Sequence, residues 1–155
     1  MKRPPPALAM LLALDRVAHS LDGWSKALSA RDGVSAEQRL VLRQLHRAPG
    51  SSLAALAASL HRSPSTVGAL LRPLEAQGLV ARRRNRLDRR ALQFSVTPFG
   101  AALATRTRDT PEGALRRALA AVDAGQQLNT VQLIEGLADA LDAALSPGLG
   151  SLDPG

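Results

Sequence analysis

Leu14, Val17, Leu21, Trp24 and Leu28 recur at steps of three and four, and Ala7 and Met10 extend the series backwards. That spacing draws one stripe along an amphipathic helix of heptad character, and Asp32-Gly33 stops it. Ser35, with Gln38 three residues on, has the form of a capping box. Leu40, Val41, Leu42 and Leu45 give the apolar face of a second helix, ended by Ala48-Pro49-Gly50. Ser51 or Ser52 caps a short third helix carrying Leu53, Leu56 and Leu60 on one side. His61-Arg62 makes a turn. Ser63 then caps a fourth helix, with Pro64 at its first position, where a fixed φ and a missing N–H cost nothing. Val67, Leu70, Leu71 and Leu74 form its inward face, and Gly78 closes it. Two helices joined this tightly predict a helix-turn-helix.

The period then changes. Leu79-Val80-Ala81 starts a strand, and Leu92, Phe94 and Val96 alternate with Ala91, Gln93 and Ser95 in a second one, as in a half-buried hairpin. Thr97-Pro98 begins a further helix that continues through Phe99, Leu103, Leu115, Leu119 and Val122. Thr110-Pro111-Glu112 has the cap, proline and acidic residue of a fresh start, so a break is expected near Thr110. Asn129 or Thr130 starts the last helix, with Leu133, Ile134, Leu137, Leu141 and Leu145 on one stripe. The expected class is mainly α with a small β-hairpin wing. The expected parts are an N-terminal dimerisation helix in residues 1–34, a winged helix-turn-helix in 35–97, C-terminal dimerisation helices in 98–146 and a Pro/Gly-rich disordered tail in 147–155.

Composition narrows the function. Only Trp24, Phe94 and Phe99 are aromatic, so the stacking platforms of a single-strand binder are missing. No apolar run approaches the ~18–20 residues of a membrane span. Cysteine is absent, and His19, His46 and His61 are too scattered for a ligand pair, so neither thiolate chemistry nor a metal site is expected. The start, Met1-Lys2-Arg3 and three prolines, is unlike a signal peptide, which makes a cytoplasmic location the expectation. No nucleophile–base pair or phosphate loop is visible, so neither an enzyme nor a cofactor is expected.

Charge is uneven along the chain. Residues 31–109 carry a net +9, against +2 before them and −4 after them. A positive centre with an acidic end is the footprint of a module facing a polyanion. On the fourth helix, with Val67 inward, Ser65, Ala69, Arg72 and Ala76 point outward. Its first turn, where Ser63, Pro64, Ser65 and Thr66 stand, is the part that enters a major groove. Between the strands, Arg82, Arg83, Arg84, Arg86, Arg89 and Arg90 crowd into nine residues. Such a cluster repels itself unless phosphates or a narrow minor groove neutralise it. Double-stranded DNA is the implied partner. A winged-helix module that binds protein and has lost operator recognition is the alternative, favoured by Gly68, Ala69 and Pro73. Proline inside a helix normally costs about 3 kcal/mol and kinks it.

Ser63-Pro64-Ser65-Thr66-Val67, Leu74-Glu75-Ala76-Gln77-Gly78-Leu79-Val80, Asp88-Arg89-Arg90 and Thr97-Pro98-Phe99-Gly100 stand in an order and spacing that resemble the MarR (multiple antibiotic resistance regulator) family. The resemblance covers roughly Ser35 to Leu103. It implies a homodimer clasped by its terminal helices on a pseudo-palindromic operator, usually acting as a repressor. It also implies minor-groove contact by Arg90, with Arg86 or Arg89, and an Asp88 that braces the arginine. Release by a small, often anionic aromatic effector is implied too, with His19 and Trp24 on the helix that would wall its pocket. Arg16 and Arg43 are further groups able to meet an anion, and the sequence selects neither. Gly68-Ala69 stands where many relatives carry a polar residue followed by Arg.

Overall fold

A computed structural model describes residues 4–84 and 92–145. Among them the order is α1 (Pro6–Asp32), α2 (Ala36–Arg47), β1 (Ser51–Ser52), α3 (Leu53–Ser59), α4 (Pro64–Ala76), β2 (Val80–Arg84), β3 (Leu92–Val96), α5 (Pro98–Thr105), α6 (Pro111–Leu119) and α7 (Ala124–Leu145). Local chemistry sets most of these limits. Gly33, at φ 69°, ends α1 by returning its N–H to the Ser29 carbonyl. The Ser35 hydroxyl accepts from the Gln38 N–H while the Gln38 side chain accepts from the Ser35 N–H, which completes the capping box. Ser52 rather than Ser51 caps α3, Ser63 caps α4 and Thr97 caps α5. α4 runs on through Pro73, which lacks the N–H that would otherwise donate to the Ala69 carbonyl.

Chain packing divides at Gly113/Ala114 into two units. In the first, Val41, Leu42 and Leu45 of α2, Leu56 of α3, Val67, Leu71 and Leu74 of α4 and Phe94 of β3 close one apolar core. A three-stranded antiparallel sheet, ordered β1-β3-β2, covers its edge, with Arg82 opposite Phe94 and Ser51 opposite Phe94 on the other side. The sequence pattern gave a two-stranded hairpin. The added strand has two residues, too short to carry a period, and is held by the Gly50 N–H donating to the Phe94 carbonyl.

Other expectations need correcting. Leu40 is exposed, because the inward place beside it goes to Arg39. Leu92 is exposed at the outer end of β3, opposite Arg84 and past the core. Phe99 does not continue an inward stripe: at 77% exposure it is the most open of the large apolar side chains among the described residues, since Gly100 takes the inward place next to it. Val122 lies in a turn between α6 and α7. The break expected near Thr110 is present: α5 ends at Thr105, and buried Thr110 caps α6 by accepting from the Gly113 N–H. The last helix begins at Ala124, well before Asn129 or Thr130, because the Asp123 carboxylate accepts from the N–H groups of Gly125 and Gln126. An apolar count alone misses that acidic cap.

Candidate nucleic-acid interface

α4 follows α3 through a tight turn in which His61 adopts φ 50°. That left-handed conformation is unusual for a side chain with a Cβ. It lets the Arg62 N–H return to the Ala57 carbonyl and places Ser63 as the cap of α4. The Ser63 hydroxyl accepts from the Thr66 N–H and lies 2.9 Å from the Ser65 and 2.8 Å from the Thr66 hydroxyl. The three hydroxyls therefore form one exposed cluster at the helix start. Pro64 has no N–H and that of Thr66 is capped, so the Ser65 N–H is the donor left over in this turn among the described residues. A phosphate oxygen is the natural acceptor for such a group.

Further along α4, Ser65, Ala69, Arg72 and Ala76 are all exposed, as 100° per residue from Val67 requires. Gly68 is half-buried, and a Cβ built there meets nothing within 4 Å. Arg72 makes no ion pair among the described residues. Beside α4, β2 carries Arg82, Arg83 and Arg84 outward. Arg82 lies 3.8 Å from Glu75 of α4, which ties strand to helix, whereas Arg83 and Arg84 pair with nothing described. The expected contacts Arg86, Arg89 and Arg90, and their brace Asp88, lie outside the described residues, as does the tail from Ser146.

The sequence motif at Thr97 has a physical basis. Its hydroxyl donates to the Gly78 carbonyl and accepts from the Gly100 N–H, and its own N–H donates to the Leu79 carbonyl. A Cβ at Gly100 would fall on the Leu79 carbonyl oxygen, far inside van der Waals contact. Thr97 and Gly100 thus seat α5 on the segment that joins α4 to the wing.

On α1, His19 is exposed and Trp24 half-buried. Five residues amount to about 140° around a helix, so they share no single face. Arg43, one of two candidates for meeting an anion, is committed elsewhere: it grips the Glu112 carboxylate at 2.6 Å and the Ala104 carbonyl at 2.9 Å. Sequence reasoning named Arg43 only as a group able to meet an anion, and missed its pairing with Glu112 and its neighbour Arg39. The signal was two arginines four apart inside an otherwise apolar face.

Among the described residues, no helix is long and apolar enough to cross a membrane, and no group of three or more His, Cys, Asp or Glu side chains is placed to hold a metal ion. Residues 34–92 match the MarR family. The HTH-type transcriptional repressor Rv2887 of Mycobacterium tuberculosis is 34% identical over 105 residues, 68% of this chain and 76% of that protein. The fold is similar to that of Staphylococcus aureus MepR, solved in a DNA complex (TM-score 0.69, 19% identity, 84% of this chain and 96% of that one). It is also similar to Streptomyces coelicolor PcaV, solved with its natural ligand (TM-score 0.68, 21% identity, 91% and 99%). With the helix-turn-helix, the capped α4 and the Thr97–Gly100 seat in place, the chain belongs to the MarR family of winged helix-turn-helix transcriptional regulators, a family of regulators and not of enzymes.

Proposed function

We propose that two copies of this chain form a repressor that binds a pseudo-palindromic operator, each copy placing α4 in a major groove and its wing arginines along the adjacent minor groove. One observation carries the reading. α4 turns Ser65, Ala69 and Arg72 outward, Arg72 without an ion pair among the described residues, beside a strand whose Arg83 and Arg84 are also exposed. With Gly68 and Ala69 in the groove, few bidentate base contacts are available, each worth ~1–3 kcal/mol of discrimination. The wing then supplies the larger share of affinity, Arg90 foremost, with Asp88 as its brace. The dimer contact is assigned to the terminal helices: Val17 and Leu21 of α1 and Leu133, Ile134 and Leu141 of α7 are exposed. A small anionic aromatic effector that loosens the DNA grip completes the reading, with His19 and Trp24 on the helix nearest it. Trp24 is the only tryptophan, so its fluorescence reports on that binding.

Selection of bound duplexes from a random pool tests the operator, and sedimentation tests the dimer. A two-fold sequence is expected to emerge, and Leu137→Asp with Leu141→Asp is expected to give monomers with little DNA affinity. In salt titrations Arg84→Ala should lower the slope by about one unit, as loss of one phosphate contact does. Arg90→Ala should weaken binding more than Arg72→Ala. Larger damage from Arg72→Ala, confined to the preferred sequence, would return the reading to the helix. A pool that enriches nothing favours a protein-binding module instead.

A further inference from the structure

Three segments of the first unit meet at one carboxylate. Asp32, the last residue of α1, has a side chain only 5% exposed. Its Oδ1 accepts from Arg31 Nε at 3.0 Å and from Arg106 Nη1 at 3.1 Å. Its Oδ2 accepts from Arg31 Nη2 at 2.9 Å and from Arg39 Nη2 at 2.5 Å. The acceptor positions of the carboxylate are filled from α1, from the first turn of α2 and from the residue after α5. The guanidinium hydrogen bond from Arg31 and the charges of Arg39 and Arg106 hold the Asp32 carboxyl below its ordinary value against the opposing effect of burial.

α2 carries the arms. Arg39 donates through Nη1 to the Leu103 carbonyl at 2.6 Å. One turn later, Arg43 donates to the Ala104 carbonyl and grips Glu112 in the first turn of α6. The last carbonyls of α5 are thereby satisfied by side chains of another helix, a role usually left to water or a capping residue. The Arg31 Nη1 reaches the carbonyl of Asp109, itself at φ 55°. The two arginines of α2 therefore bolt the end of α1, the end of α5 and the start of α6 to the same face.

A buried ion pair adds little stability over a well-packed apolar pair of the same volume, because desolvation offsets its attraction. What it adds is direction, since guanidinium and carboxylate meet in a plane and at fixed angles. In addition, Arg39 Nε is buried with no hydrogen-bond partner among the described residues, so the arrangement is not the one that best satisfies every polar atom described. Direction is the property that remains to account for it.

We propose that Asp32, Arg39 and Arg106, with the Arg43–Glu112 pair one turn on, are positioning residues that set the angle of α1 against the recognition lobe (the core of α2, α3 and α4 with the three-stranded sheet) and so select the half-site spacing that the dimer accepts. The proposal rests on the reading of a dimer that spans two half-sites. α1 carries one of the stripes assigned to the dimer contact, so a change in its angle moves the two α4 helices relative to each other. Two recognition helices on one duplex tolerate only certain separations, near one helical turn or its multiples.

The test uses the full-length chain and the duplex selected from the random pool. Dissociation constants are measured on that duplex, on versions with one or two base pairs added to or removed from its centre, and on a single half-site. Wild type is expected to prefer the selected spacing. Asp32→Asn, and separately Arg106→Gln combined with Glu112→Gln, should lower that preference at least about fivefold, as expected when a coupled network is broken. Half-site affinity and thermal melting should stay near wild type in the double variant, whose side chains lie at the rim and leave the Asp32–Arg39 pair intact. If Asp32→Asn fails to fold, the double variant decides alone. A preference retained within about twofold overturns the proposal, and so does an equal loss on half-site and full duplex, which marks general damage to the lobe. A wild type that prefers no two-site duplex over a half-site overturns the dimeric reading itself.

Discussion

The recognition lobe and the last helix are made of the same aliphatic residues and treat them oppositely. Leu42, Leu45 and Leu74 in the lobe are wholly buried, whereas Leu133, Ile134 and Leu141 on α7 are each more than half exposed and α7 buries no residue. The N-terminal part of α1 behaves like α7, with Leu8, Leu11, Leu12 and Val17 open, until Leu28 is buried near its end. An apolar stripe is therefore not a core by itself. It becomes one where neighbouring elements close over it, and a helix that keeps such a stripe open calls for a partner surface.

The sharpest way to break this contrast is to truncate one leucine on each side of it. Leu74→Ala should cost the lobe about 3–5 kcal/mol, since the cavity it leaves is enclosed on all sides. Leu141→Ala should leave the lobe's denaturant stability within about 0.5 kcal/mol and instead weaken self-association, seen as a concentration-dependent shift in sedimentation. Equal losses of stability from the two changes would mean that α7 is packed as tightly as the lobe.

A smaller effect is expected at the seam between α5 and the wing. Gly100→Ala places a methyl group on the Leu79 carbonyl, which the backbone must yield to accommodate. A loss of roughly 1–3 kcal/mol is expected from such overpacking, read as a lowered denaturant midpoint. A midpoint unchanged from wild type would show that α5 is free to slide away from Leu79.

The smallest expected effect has the opposite sign. His61 holds a left-handed backbone at the turn before α4. His61→Gly removes the Cβ strain there and should stabilise by roughly 0.5–1 kcal/mol, net of the entropy glycine adds to the unfolded chain. Thermal unfolding measures it. Loss of stability instead would assign the His61 ring a packing role at the turn.

How much was legible in advance varied with the range of the signal. The caps at Ser35, Ser63, Thr97 and Thr110 were visible because each is a contact made within three or four residues. The outward face of α4 followed from its period, and Ser65, Ala69, Arg72 and Ala76 all stand where that period put them. The start of α7 was missed because Asp123, an acidic cap in a turn, carries no apolar mark. β1 was missed because two residues paired with Phe94 and Gln93 have no period of their own.

The sequence by itself determined the helix-turn-helix, the wing strands and the concentration of positive charge beside them, all of which depend on short spacings and on composition. Only the tertiary structure decided which apolar stripes close into a core and which stay open, because that depends on what packs across from each stripe. It alone also brought Asp32 against Arg39 and Arg106, and Arg43 against Glu112, across separations of up to 74 residues. No local rule pairs a carboxylate with an arginine 74 residues further on; the folded chain does so because buried Asp32 stays charged only where guanidinium groups replace the water it has lost.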